Sequence, residues 1–323
     1  MLLDVMANYG LTRDFRHGGF FETEQHKRIF RQLKTAIPNG YLIAVSGIVG
    51  SGKTTTLRRL QEILRKENKV IIAKSLSVEK SKTTLKTLIC ALFYDVSGDK
   101  DFKVATVGEK RERELQELIR SAKKTVALFV DEAHDLHHTT LTGLKRLMEI
   151  VQDGGGMLSI ILAGHPKLRN DLKGPKMEEV GYRTLAVSLD SMQGELREYI
   201  QWLLQQCAAE EAKPADIIEE PAIDYLAERL STPLQVEQHL TLALEEAYKA
   251  GGKPVTVEIL ETTLSKRLDD LEPTLIRHGY NERVLVEQFR IKLSEVRQFM
   301  KGNLDSARML ELTEEMREAG LPI

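Results

Sequence analysis

The chain has 323 residues, enough for a principal domain with smaller ones attached. Apolar residues make up 42% and charged residues 29%, an ordinary balance for a soluble globular protein. Lys plus Arg total 46 against 48 Asp plus Glu, so bulk charge gives no argument for nucleic acid, and any basic binding surface must be local. The two cysteines, Cys90 and Cys207, both lie in apolar helical contexts; they exclude a disulfide framework and read as buried free thiols. The start has no basic segment leading into an apolar run, and no stretch reaches the length of a membrane span. A cytoplasmic protein with no membrane partner is therefore expected.

In chain order, five short apolar runs read as strands of a buried sheet: 41–46, 69–74, 126–131, 158–164 and 184–189. Segments of helical period fall between them at 54–67, 83–96, 109–122 and 140–152. Strands alternating with helices predict an α/β fold with a five-stranded parallel sheet covered on both faces. Beyond Leu189 the pattern changes. Residues 195–209, 220–230, 235–250 and 257–268 all read as helices, and Pro273 punctuates the chain beyond them. The expected division is an α/β nucleotide-binding domain at 1–190, a helical lid at 191–272 and a C-terminal helical module at 273–323.

Gly47-Ile48-Val49-Gly50-Ser51-Gly52-Lys53-Thr54 fits G-x-x-x-x-G-K-[ST] between a predicted strand and a predicted helix. Gly47, Gly50, Ser51 and Gly52 let backbone N–H groups close around phosphate oxygens, and the helix N-terminus, with Thr55 in its first turn, adds a favourable dipole. Lys53 reaches the β- and γ-phosphates of ATP, and Thr54 places its hydroxyl on Mg²⁺. The strand at 126–131 ends in two carboxylates. Asp131 is the expected Mg²⁺ partner, and Glu132 the group that polarises the attacking water. An ATPase is the expected activity. Asp131-Glu132-Ala133-His134 spells a helicase-like tetrapeptide, but the other helicase motifs are not evident.

Several flanking segments carry a resemblance. Tyr9-Gly10-Leu11-Thr12 and Phe21-Glu22-Thr23-Glu24-Gln25-His26 precede the phosphate loop, and Leu162-Ala163-Gly164-His165-Pro166-Lys167-Leu168 and Glu179-Val180-Gly181-Tyr182-Arg183 lie beyond it. Over about residues 5–265 the chain resembles the AAA+ ATPases grouped around ExeA and the transposition regulators TnsC, TniB and MuB. The resemblance implies assembly on DNA as a ring or helical filament, with ATP between subunits. It implies a sensor 1 side chain at His165, which feels the γ-phosphate. It also implies an arginine finger reaching the neighbouring site, for which Arg183 is the candidate and Arg169 the runner-up. The sequence departs from the pattern at Ser231-Thr232-Pro233-Leu234-Gln235, where Leu234 stands in place of the lid's sensor 2 arginine. Gln235 replaces it only in part, so slow, regulatory hydrolysis is expected.

In the resembled group the segment after the second strand faces the central channel. Here Lys80, Lys82 and Lys86 lie in that segment, among serines and threonines suited to gripping phosphate without reading bases. In the C-terminal module, helices expected at 281–288 and 293–301 flank a short connection, a helix-turn-helix-like pattern. Arg290, Lys292, Arg297, Lys301 and Arg308 make this stretch locally basic. The expected function is an ATP-dependent regulator that oligomerises on double-stranded DNA and recruits or activates a DDE-type transposase. Two alternatives stand beside it: an ExeA-like assembly ATPase with a protein client, and a replication-initiator or helicase-loader ATPase.

Overall fold

A computed structural model describes residues 1–75, 83–98, 104–174, 177–181, 183–192, 194–264 and 271–323. Lys80, Lys82 and Tyr182 lie outside the described residues. The chain opens with α1 (Leu3–Asn8) and α2 (Glu24–Ala36), then alternates through β1 (Leu42–Ser46), α3 (Lys53–Glu67), β2 (Val70–Lys74), α4 (Leu85–Ser97), α5 (Gly108–Ser121) and β3 (Thr125–Val130). It continues through α6 (His138–Asp153), β4 (Leu158–Gly164), α7 (Pro166–Lys173), α8 (Glu178–Gly181) and β5 (Thr184–Ser188). Beyond β5 the described elements are all helices: α9 (Leu196–Cys207), α10 (Pro214–Ile217), α11 (Glu220–Arg229), α12 (Pro233–Lys249), α13 (Val257–Thr263), α14 (Leu271–Arg277), α15 (Glu282–Phe289), α16 (Leu293–Met300) and α17 (Ser306–Glu318). The five expected strands are present within a residue at each end. Among the described residues no helix is long and apolar enough to cross a membrane.

The sheet is parallel throughout, in the order β2-β3-β4-β1-β5. Strand β1 lies between β4 and β5, so the chain leaves it in one direction for β2 and returns past it for β5. The carboxyl end of β1 is thus a topological switch point, where open α/β sheets bind their ligands. Successive residues of the fully buried strands serve opposite faces. Leu42 and Ala44 join Val126, Leu128, Ile160 and Leu162 in the core under α4, α5 and α6. Ile43 and Val45 join Ala127, Phe129, Ile161 and Ala163 in the core under α2 and α3. Each large aliphatic side chain among them contributes about 1.5–3 kcal/mol by leaving water, and the two cores together fix where the strand ends point.

Two further apolar clusters lie outside the sheet. One gathers α9, α11, α12 and α13, and it also takes Val5, Tyr9, Leu11 and Phe15 from the N-terminal segment. That segment, expected with the α/β unit, therefore packs with helices α9, α11, α12 and α13; its backbone joins them too, Thr12 N–H donating to Cys207 O at 2.8 Å. Cys207 is buried as expected, whereas Cys90 is only half-buried. The other cluster is formed by Leu275, Tyr280, Leu285, Val296, Phe299, Leu312 and Met316, all from residues beyond 271.

Helix α2 opens with a reciprocal cap. Thr23 Oγ1 accepts from His26 N–H, and Thr23 N–H donates to His26 Nδ1 at 3.2 Å. His26 is buried, and burial pushes its imidazole down to about 4 from the usual 6.5. The unfolded chain thus binds the proton more readily between these values, and His26's stabilising share is complete above about 6.5 and lost as pH falls toward 4. Urea unfolding between pH 7.5 and 4.5 is expected to show a smaller fall in stability for His26→Gln than for the parent. Glutamine keeps the cap's acceptor but does not titrate.

Candidate nucleotide site

Three loops converge at the carboxyl edge of the sheet. Residues 47–52 leave β1 and enter α3; Asp131 and Glu132 come directly after β3; His165 comes after β4 as the N-cap of α7. Gly50 takes φ +81°, and a side chain there would come within 2.7 Å of Leu234 Cβ and 2.9 Å of Thr232 Oγ1. The loop is held closely against the start of α12, and only glycine suits both the angle and the fit.

Lys53 is 6% exposed, and its Nζ donates to Gly47 O at 2.8 Å and Ile48 O at 2.9 Å. Burial lowers its pKa, while the Glu132 and Asp131 carboxylates act in the opposite direction. Thr54 Oγ1 donates to Asp131 Oδ2 at 2.8 Å, and Asp131 Oδ1 accepts the Glu132 N–H at 3.0 Å. The hydroxyl and carboxylate oxygens of Thr54 and Asp131 thus lie side by side, a hard oxygen pair that fits Mg²⁺. Thr55 is exposed in the first turn of α3, and Ser51 Oγ is buried.

Glu132 adopts φ +56°, a left-handed conformation uncommon for a side chain of this kind. Its Oε2 lies 3.4 Å from His134 Nδ1 and 3.8 Å from His165 Nε2. The two imidazole rings sit with centroids 3.9 Å apart. Burial is the main cause that pushes both down to about 4, so both rings are neutral at physiological pH. The sequence marks Glu132 and His165 separately; the fold brings them together and adds His134.

The lid and the C-terminal helices complete the surroundings. Leu234 N–H lies 3.4 Å from Gly50 O, whereas Gln235 Oε1 accepts from Ser231 N–H and Thr232 N–H at 2.9 and 3.2 Å. Gln235 is thereby engaged in capping α12. From the C-terminal side, Arg277 O accepts the Val49 N–H at 2.9 Å, and His278 O accepts the Lys167 N–H at 3.3 Å. Asn170 Nδ2 donates to Tyr280 Oη at 2.7 Å and Gly320 O at 3.0 Å. Gly279, at φ +94°, passes so near His165 that a side chain there would meet its Cβ at 2.8 Å. A cavity of about 500 Å³ remains between these parts, lined by Gly47, Ile48, Arg169, Asp190, Ser231 and Arg277 among others. The junction of 277–280 with the phosphate loop had no motif to announce it.

The remaining site candidates are dispersed. Arg183 stands before β5, 65% exposed, with Nη1 2.9 Å from Glu149 Oε1 of the same chain. Arg169 lines the cavity beside its own phosphate loop. Lys86 is exposed on the first turn of α4. Arg290, Lys292 and Lys301 are exposed around α16, while Arg297 pairs with Glu282 at 3.0 Å and Arg308 with Glu295 and Glu311.

Residues 38–172 match the family described as AAA domain. General secretion pathway protein A of Aeromonas hydrophila is 28% identical over 167 residues, which are 51% of this chain and 30% of that protein. The chain therefore spans about a third of the length of this curated relative. Among solved structures, the Aeropyrum pernix ORC2 protein in its ADPNP–ADP complexes aligns over 97% of this chain and 91% of its own, with TM-score 0.61 and 15% identity. The Drosophila ORC bound to DNA aligns over 94% and 82%, with TM-score 0.54 and 15% identity. Together with the phosphate loop and the paired carboxylates, the match of residues 38–172 to an AAA domain supports an ATPase, with ATP and Mg²⁺ as its cofactors.

Proposed function

We propose that this ATPase is a DNA-bound assembly switch, which oligomerises on double-stranded DNA in the ATP state and recruits or activates a DDE-type transposase through its C-terminal helices. The observation that carries the reading is the junction of those helices with the phosphate loop. Val49 N–H, a loop donor next to the phosphate position, bonds to the Arg277 carbonyl, and Gly279 rests on His165. A change at the γ-phosphate position is thereby communicated to a separately packed helical cluster that exposes Arg290, Lys292 and Lys301. The fold likeness to an ORC whose structure holds DNA supports the same reading.

In this scheme Lys53 exchanges its two carbonyl partners for phosphate oxygens. Thr54 and Asp131 hold Mg²⁺, which neutralises charge on the phosphates. Glu132 orients the attacking water, and His165 senses the γ-phosphate. Arg183 reaches the neighbouring subunit; its exposed ion pair with Glu149 is worth at most about 1 kcal/mol and is readily exchanged. Lys80, Lys82 and Lys86 grip the DNA backbone, and Arg290, Lys292, Arg297 and Lys301 add contacts from the C-terminal side.

The partial homology to a general secretion pathway protein favours one second reading, an assembly ATPase with a protein client and no DNA. Electron microscopy of the full chain with duplex DNA and a slowly hydrolysed ATP analogue separates the two. The DNA-switch reading expects rings or filaments along the duplex only when the analogue is present. Nucleotide-dependent assembly that ignores the duplex favours the protein-client reading.

A further inference from the structure

Orienting one water and sensing one phosphate require a carboxylate and a single polar side chain, yet a second imidazole shares the site. Glu132 Oε2, His134 Nδ1 and His165 Nε2 belong to a group whose ligating atoms all lie within 4.8 Å of one another. The histidine side chains are 11% and 15% exposed, while Glu132 is 39% exposed on the solvent side. Among the described residues His134 Nδ1, one of the three proposed ligand atoms, is buried and makes no hydrogen bond. The two loops are anchored by the paired strands β3 and β4, which keeps the three side chains together.

We propose that Glu132, His134 and His165 form a binding site for a divalent transition metal of the Zn²⁺ class, and that its occupation blocks hydrolysis. Bonds of about 2.0–2.1 Å in tetrahedral geometry set ligand atoms about 3.3–3.4 Å apart. The observed 3.4 and 3.8 Å to the carboxylate oxygen need shifts of only tenths of an ångström, and the two rings, with centroids 3.9 Å apart, must turn and separate by roughly an ångström to point one nitrogen each at a shared ion. Two imidazoles and one carboxylate make a set that selects transition metals over Mg²⁺, whose oxygen ligands are provided at Thr54 and Asp131. Asp135 Oδ1 lies 3.8 Å from His134 Nε2, placed to orient that ring from behind. Ligation engages the Glu132 carboxylate, so it can no longer position water. Binding rests on geometry alone; the block rests on the role given to Glu132 above, and neither depends on DNA.

Co²⁺ serves as the spectroscopic probe and Zn²⁺ as its competitor, with the full chain in excess Mg²⁺. The expected result is one Co²⁺ per chain with visible ligand-field bands that Zn²⁺ abolishes. Affinity is expected to fall at least ~10-fold in both His134→Ala and His165→Asn, with folding checked by circular dichroism. The exposed neighbours His137 and His138, with rings 4.0 Å apart, are the rival site. The double variant His137→Asn/His138→Asn is expected to keep the bands. Stoichiometric Zn²⁺ is expected to lower turnover at least ~10-fold with ATP affinity unchanged. Absent bands, bands lost with His137 and His138, bands kept when both His134 and His165 are replaced, or undiminished turnover at full occupancy each overturn the proposal.

Discussion

Lys53→Ala is expected to lose ATP binding by a factor on the order of 10²–10⁴. The Nζ is buried and makes two hydrogen bonds with loop carbonyls, which in the proposed scheme it gives up for phosphate oxygens. Two bonds from a charged donor are worth about 1.5–3 kcal/mol each, which gives that range. Glu132→Gln is expected to behave differently: nucleotide affinity stays within a few-fold of the parent, and turnover falls about 10²–10⁴-fold, the usual share of a positioned acid–base group. The structure explains the separation. Lys53 contacts the loop, whereas Glu132 stands across the site with its carboxylate near His134 and His165. Nucleotide affinity by fluorescent-analogue titration and phosphate release by a coupled assay read the two effects independently. Parent-like turnover in Glu132→Gln would remove Glu132 from the mechanism.

The sheet was legible because each strand is a continuous apolar run bounded by turn residues, and five such runs lie between segments of helical period. The phosphate loop was legible because its function dictates residue type at nearly every position. Helix α2 was not legible as an element, although Ile29, Phe30, Leu33 and Ala36 fall on one face and Thr23 caps it; polar and charged residues fill most of its length and dilute the period. The N-terminal segment's place against the helical cluster was invisible for a different reason. Tyr9 and Phe15 are apolar and buried, but nothing local states which of two cores receives them. His134 stood out only as part of a tetrapeptide, since its nearness to His165 comes from β3 and β4 being neighbours in the sheet and not in the chain. The same holds for Arg277, which bonds to Val49 from more than 200 residues along the chain, and for Gly279 and Tyr280, which meet His165 and Asn170 from more than 100 residues away.

Attachment to duplex DNA is expected to depend on ATP, to be indifferent to sequence and to fall steeply with salt. A surface that neutralises six to ten phosphates loses about 10³–10⁵ in affinity between 50 and 200 mM salt. Lys86, Arg290, Lys292 and Lys301 are exposed, and in the proposed scheme Arg297 would give up only a surface pair with Glu282. Replacing Lys80, Lys82 and Lys86 by alanine is expected to flatten the log–log slope by about 0.9 for each phosphate that a subunit no longer neutralises. The most direct measurement is fluorescence anisotropy of two unrelated duplexes of equal length, titrated with the full chain over a salt series, with ATP and Mg²⁺ and without nucleotide. Binding is expected only with ATP, with the same steep salt slope on both duplexes and a shallower slope for the triple-lysine variant. No binding with ATP and Mg²⁺ at the lowest salt would contradict that expectation and leave the ATPase with a protein client.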